Sequence, residues 1–68
     1  MELHIELERE DDSRWLAEVV DLPGVMAYGS TREAALSAVK VLALRVVADK
    51  LEKGEAGLDL ASLSFVVA

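Results

Sequence analysis

The sequence predicts an α+β domain with the element order β-β-β-α-β, in which a three-stranded antiparallel meander precedes one long helix and a fourth strand. Three observations predict it: alternating polar and apolar residues over 2–8, a DLPG turn at 21–24, and apolar residues at helical spacing over 34–51. Sixty-eight residues have room for one domain, so we expect 1–68 to form a single unit.

The first two strands are predicted to form a hairpin. Leu3, Ile5 and Leu7 alternate with polar residues, so we expect them to point inward. The charged segment 10–13 supplies the turn, and residues 14–20 form the second strand. The two faces of that strand differ: one carries Trp15, Ala17 and Val19, and the other carries Leu16, Glu18 and Val20.

The turn Asp21-Leu22-Pro23-Gly24 ends the second strand. Pro23 has no N–H to donate to a ladder, and Gly24 tolerates a positive φ. Residues 25–28 are predicted to form a short third strand that Gly29 stops. Short connections between successive strands favour an antiparallel arrangement.

The helix is predicted to begin at Ser30, because Ser30 and Glu33 have the spacing of a capping box. We expect it to end near Lys53, with Gly54 at the C′ position. Residues 55–61 are then a loop. The apolar segment 63–67 is predicted as the last strand, in a central position of the sheet.

The helix carries two apolar rows. The first is expected to pack on the sheet and comprises Ala35, Ala38, Val39, Leu42 and Val46. The second lies roughly 100–180° away at 100° per residue and comprises Val41, Leu44, Ala48 and Leu51. One sheet face cannot cover both rows. The second row is therefore either tolerated at the surface or packs, like Leu16 and Val20, against another subunit or protein.

The composition favours association with other proteins. Apolar residues make up 53% of a chain too short to bury them all, which predicts a homo-oligomer, with a dimer as the first guess. The net charge is −6, and the seven basic residues are scattered, which argues against direct nucleic-acid binding. An acidic surface attracts basic proteins, although it also serves solubility alone.

No targeting or membrane segment is expected, so the predicted location is the cytoplasm. The start alternates in polarity, unlike a signal peptide, and the longest apolar stretch is interrupted by Lys40, Arg45, Asp49 and Lys50. The sequence contains no Asn and no Gln, and depletion of such heat-labile residues is typical of thermophile proteins.

No catalytic, cofactor-binding or metal-binding residues are predicted, so we do not expect an enzyme or a cofactor. His4 is the single histidine and faces outward with no partner nearby in sequence. The carboxylates of 8–12 lack the glycine and the terminal glutamate of a calcium loop. Trp15 and Tyr28 lack the surrounding cations of a base-stacking platform.

The segment 14–36 resembles the signature of the HicB-like antitoxin family. That signature has an aromatic-x-Ala strand, a D-L-P-G turn, a short strand with Gly, then Thr and an E-A-[A/L] helix start. The matching residues here are Trp15, Ala17, Asp21, Leu22, Pro23, Gly24, Gly29, Thr31, Ala35 and Leu36.

The resemblance implies a truncated RNase H-like fold and an antitoxin function. Family members bind and block a small HicA-type toxin, an mRNA-cleaving ribonuclease. Many continue into a DNA-binding domain, for which this chain gives no motif. Ala34 stands where the family often has an acidic residue, and the inward positions of the first strand hold Leu3, Ile5 and Leu7 rather than catalytic carboxylates. The alternative is a self-associating domain of the same fold without a toxin.

Overall fold

The computed structural model describes residues 1–55 and 60–68. Within them the elements are β1 (Glu2–Arg9), β2 (Trp15–Val19), β3 (Met26–Gly29), α1 (Arg32–Glu52) and β4 (Ser64–Val67). The α+β class and the order β-β-β-α-β are confirmed, and element ends differ from the predicted ones by one residue or two. The predicted loop at 55–61 includes 56–59, which lie outside the described residues.

The strands form one mixed sheet with the order β3-β2-β1-β4. β1, β2 and β3 are the predicted antiparallel meander, whereas β4 pairs with β1 in parallel after the helical crossover. The central position predicted for the last strand is wrong, because β2 already occupies one edge of β1 and β4 takes the other. Only Phe65 of β4 packs on the core, and Val66 and Val67 stay exposed.

The core lies between one sheet face and α1. Leu3 and Ile5 of β1 and Ala17 and Val19 of β2 are at most 1% exposed, as their alternation predicts. Leu7 and Trp15 are half-buried against the same core. The remaining core residues come from the turn and the helix: Leu22, Val25, Ala35, Val39, Ala43 and Val47.

The buried row of α1 differs from the predicted one. Ala38 is exposed, and Ala43 is fully buried in its place. Leu42 and Val46 are half-buried at the margin. The cause is that the buried residues recur every four positions, so the helix contacts the sheet along its i, i+4 ridge.

The helix begins one residue later than predicted. Thr31, not Ser30, is the N-cap: its side chain accepts a 3.0 Å hydrogen bond from the Ala34 N–H. The Thr31 carbonyl also accepts the first helical bond, from Ala35, so Ser30 lies outside the helix and the predicted capping box does not form.

The C-terminal end of α1 is a Schellman motif, and the predicted C′ glycine is confirmed. Gly54 has φ +67°. Its N–H donates to the carbonyl of Leu51, and the N–H of Glu55 donates to that of Lys50. These two bonds satisfy carbonyls that a helix end leaves unpaired.

Candidate functional site

The DLPG segment is a structural turn. Val25 donates a 3.1 Å hydrogen bond to the Leu22 carbonyl, with Pro23 and Gly24 (φ +83°) between them. This is a type II turn, which needs φ > 0 at its third residue. Leu22 and Val25 are buried in the core. The turn therefore anchors the chain between β2 and β3.

Asp21 ties this turn to β1, a contact that the sequence pattern does not predict. Its carboxylate accepts hydrogen bonds from the backbone N–H of His4 and, at 3.1 Å, from the ring Nδ1 of His4. The backbone hydrogen bond from His4, more than its ring, lowers the pKa of the Asp21 carboxyl. His4 is exposed as predicted but does have a partner, 17 residues away in sequence.

Gly29 is required by the close approach of β3 to the start of α1. A Cβ atom at Gly29 would lie 2.3 Å from the backbone nitrogen of Ala35 and 2.8 Å from the carbonyl carbon of Ala34. No side chain fits at these distances. Ala17 and Ala35 are fully buried, and Leu36 and Trp15 pack against the same core. The residues of the resemblance thus have structural roles.

We call the sheet face opposite α1 the open sheet face. It is uncovered in the described part of the chain. The register places Leu16 beside Tyr28 and Glu18 beside Met26. Met26 is 43% exposed, Tyr28 is 49% exposed, and Leu16 is half-buried. These three residues form an apolar patch on β2 and β3, and sheets that leave such a face bare often bind another protein there.

Three glutamates adjoin this patch: Glu6 and Glu8 on β1, and Glu18 on β2. Glu6 lies directly opposite Glu18, and Glu8 lies opposite Leu16. None of the three carboxylates makes an ion pair within residues 1–55 and 60–68. Like charges directly opposite each other in an antiparallel pair destabilise a sheet. A cation from outside the chain would relieve this repulsion.

An open groove of about 450 Å³ lies between these carboxylates. Glu6, Glu8 and Glu18 supply its charge, and its apolar lining comes from Leu7, Leu16 and Ala68. The groove is open to solvent and combines the three carboxylates with the apolar side chain of Leu16. This combination suits a lysine or arginine side chain, whose stem is apolar and whose head is charged.

Arg14 marks one end of the open sheet face. Its guanidinium lies 4.4 Å from the centre of the Tyr28 ring and donates a 2.6 Å hydrogen bond to Asp12. Hydrogen bonds from the backbone and side chain of Arg14 lower the pKa of the Asp12 carboxyl. Arg14 is thus already engaged within the chain, whereas the three glutamates have no ion-pair partner among the described residues.

The predicted interface residues fall on two separate surfaces. Leu16 belongs to the open sheet face, and Val20, which follows β2, is 46% exposed. The second helical row is exposed as predicted and lies on α1: Val41, Leu44, Ala48 and Leu51. The sequence pattern alone could not separate these surfaces, because it does not show which side of each element the fold leaves bare.

Within the residues that the structure describes, no cluster of three His, Asp or Glu side chains could hold a metal ion, and no helix is long and apolar enough to cross a membrane. Comparisons with protein-family models, with curated proteins and with solved structures found no match to this chain.

Proposed function

We propose that this protein is a HicB-like antitoxin-type binding module that binds and neutralises a small basic HicA-type toxin, an mRNA-cleaving ribonuclease. The domain would correspond to a truncated RNase H-like fold and act in the cytoplasm. The observation that supports the proposal most is the open sheet face, where an apolar patch adjoins carboxylates that have no cation partner in the described chain.

The apolar patch supplies the surface that a protein partner would bury. Tyr28 is half exposed and is flanked by Leu16 across the ladder, with Met26 on the same strand. Tyrosine is over-represented among the residues that dominate binding energy, since it combines a large apolar ring with a polar tip. Methionine adapts its shape to a partner.

The glutamates supply charge complementarity to a ribonuclease. A protein that binds RNA needs lysine and arginine on its phosphate-binding surface. Glu6, Glu8 and Glu18 present carboxylates in one groove and would pair with those cations. A bound antitoxin would occupy the cations that RNA needs and thereby block cleavage. Opposite charges would also speed the encounter of the two proteins.

The test is co-expression with the small basic protein encoded by the adjacent gene, followed by co-purification and a growth-rescue assay. We expect the wild-type chain to co-purify with that protein and to restore growth. Glu18→Lys should weaken binding by about tenfold or more, because it places a cation against a basic partner. The variant itself should fold, since a lysine opposite Glu6 removes a like-charge pair.

The matched control is Glu2→Lys, on the neighbouring strand β1 and outside the groove. It makes the same change in net charge and should leave binding unchanged. If both variants lost binding equally, the cause would be net charge rather than the groove, and the proposed surface would be contradicted. A basic neighbour that does not co-purify with the wild-type chain would contradict the antitoxin function.

A second candidate function is a self-associating domain of the same fold without a toxin. The exposed helical row favours it, because the row provides apolar surface that the monomer does not use. This alternative would be favoured if no adjacent gene encoded a small basic protein and the purified chain self-associated in solution.

A further inference from the structure

The outer side of β3 is a free edge of the sheet. In the strand order β3-β2-β1-β4, β3 has β2 as its one neighbour. The Val19 N–H donates to the Val25 carbonyl, so Val25 and, by alternation, Ala27 direct their backbone groups towards β2. The N–H and C=O groups of Met26 and Tyr28 therefore point away from the sheet, and no hydrogen bond within residues 1–55 and 60–68 reaches them.

This edge is accessible to another strand. The side chains of Met26 and Tyr28 are exposed on the open sheet face. Ala27 points to the α1 side of the sheet but is only half-buried, so the helix does not cover the edge completely. A free edge of this kind presents a row of donors and acceptors on which a further strand can pair.

The charge of the chain favours a second copy as that strand. The net charge is −6, so most of the surface repels a copy of itself. Residues 22–31 contain no charged side chain, and β3 lies within them. A copy can therefore approach this edge without bringing like charges together, whereas a basic protein gains more attraction from the glutamates of the open sheet face.

β4, at the other edge of the sheet, is less suited to self-pairing. The ammonium of Lys40 lies 5.5 Å from the centre of the Phe65 ring on β4, and Lys40 makes no ion pair within the described residues. Lysine at a sheet edge opposes strand pairing. The cation beside β3 is different, because Arg14, which stacks on Tyr28, already binds Asp12.

We infer that β3 pairs with β3 of a second copy of this chain, antiparallel about a two-fold axis at Ala27. Met26 of each copy then lies opposite Tyr28 of the other, and their outward groups form four backbone hydrogen bonds. A register shifted by two residues pairs only Met26 with Met26, or only Tyr28 with Tyr28, and keeps two of these bonds. The pairing joins two four-stranded sheets into one sheet of eight strands.

The side chains are compatible with this register. On the open sheet face each Met26 packs beside a Tyr28 ring, and sulfur and aromatic rings attract each other. Glu18 flanks β3 on β2, opposite Met26. The two copies of Glu18 lie three strand spacings across and two residues along from each other, about 16 Å between Cα atoms. This separation exceeds the Debye length of about 8 Å, so the glutamates do not oppose the pairing.

The size of the contact sets the strength of the dimer. β3 has four residues, and a standard interface buries about 800 Å² per partner, so a strand pair of this length lies at the small end. We therefore expect a reversible dimer with a Kd of about 10–500 μM.

The first test is sedimentation equilibrium from about 10 μM to 1 mM, a range chosen to bracket that Kd. Met26→Pro removes an outward N–H and spares the ladder with β2, so it should raise the Kd by about tenfold or more. Val67→Pro is the matched control, because residue 67 directs its N–H to the outer side of β4, and it should leave the Kd unchanged. Circular dichroism checks that both variants fold. A wild type that stays monomeric at about 1 mM, or equal losses in the two folded variants, would overturn the inference.

The second test measures the register and exploits the absence of native cysteine. Ala27→Cys should form a disulfide-linked dimer on oxidation, because the two copies of residue 27 lie opposite each other, about 4.5 Å apart between Cα atoms. The two copies of Met26→Cys lie about 8 Å apart, beyond the reach of a disulfide. We expect A27C to cross-link at least tenfold faster than M26C. Equal rates, or a dimer that A27C does not cross-link, would contradict the pairing.

Discussion

Gly29→Ala is predicted to destabilise the fold strongly. Its methyl group would meet the backbone nitrogen of Ala35 at 2.3 Å and the backbone of Ala34 at 2.8 Å. These atoms belong to the first turn of α1 and cannot rotate away, so β3 and the helix must separate. Overpacking of this kind costs about 1–3 kcal/mol, and contact with backbone argues for the upper end, about 3 kcal/mol.

That cost is a large fraction of the total free energy of unfolding. At about 0.05–0.15 kcal/mol per residue, a chain of 68 residues has a free energy of unfolding of roughly 3–10 kcal/mol. A loss of about 3 kcal/mol lowers the Tm of a domain of this size by roughly 12–24 °C. Thermal denaturation followed by circular dichroism measures the shift, and urea denaturation measures the free energy.

Two other glycines provide the controls. Gly24 and Gly54 have positive φ, but nothing lies within 4 Å of a Cβ placed on either. Their alanine variants should lose only the strain of a left-handed conformation, about 1–2 kcal/mol. We therefore expect G29A to be more destabilising than the alanine variant of either Gly24 or Gly54. A G29A variant within about 0.5 kcal/mol of the wild type would refute the reasoning, because that is the range of an ordinary surface substitution.

Three further predictions concern the helix cap, the glutamate pair and the turn. Thr31→Ala should cost about 1 kcal/mol in urea denaturation, while Ser30→Ala should stay within about 0.5 kcal/mol, and the reverse order would contradict the assigned cap. Glu18→Gln should stabilise by about 0.2–1 kcal/mol, because it removes one charge of a cross-strand glutamate pair; an equal gain in about 1 M salt would argue against this electrostatic cause. The pKa of Asp21 is lowered chiefly by the His4 backbone N–H, so its stabilisation is present above its unfolded pKa of 3.8 and is lost as pH falls through the lower folded value. Urea denaturation from about pH 5 to about pH 2 should therefore show a steeper loss for the wild type than for Asp21→Asn, and parallel curves would contradict the contact.

Local sequence patterns were sufficient to predict the strands and the helix, but not which elements lie next to each other in the sheet. The alternation over 2–8 correctly placed Leu3 and Ile5 in the core, and Gly54 correctly marked the helix end. The position of β4 was wrong, because an apolar segment is equally compatible with a central and an edge strand. The cap was wrong by one residue, since Ser30 and Thr31 are both good N-caps and the local pattern does not distinguish them.

Of the candidate binding surfaces, likewise, one could be predicted from the sequence and the other could not. The second helical row could be predicted as apolar and unpaired, because the period of the sequence fixes which residues share a side of a helix. The glutamate groove could not be predicted, because it depends on the strand register that places Glu6 opposite Glu18. The resemblance to HicB-like antitoxins, the toxin partner and the dimer stay predictions.

Strands, turns and the helix could be located from local sequence alone, since hydrophobic period, capping residues and turn chemistry act over a few residues. Which faces of these elements remain bare follows from how the elements pack in three dimensions. Strand order and register bring together residues far apart in the chain, such as His4 with Asp21 and Glu6 with Glu18, and no local preference encodes these pairs. The surfaces proposed to bind a toxin and a second copy are therefore consequences of packing: one helix covers one face of a four-stranded sheet and leaves the other face exposed, and the strand order leaves the outer side of β3 unpaired.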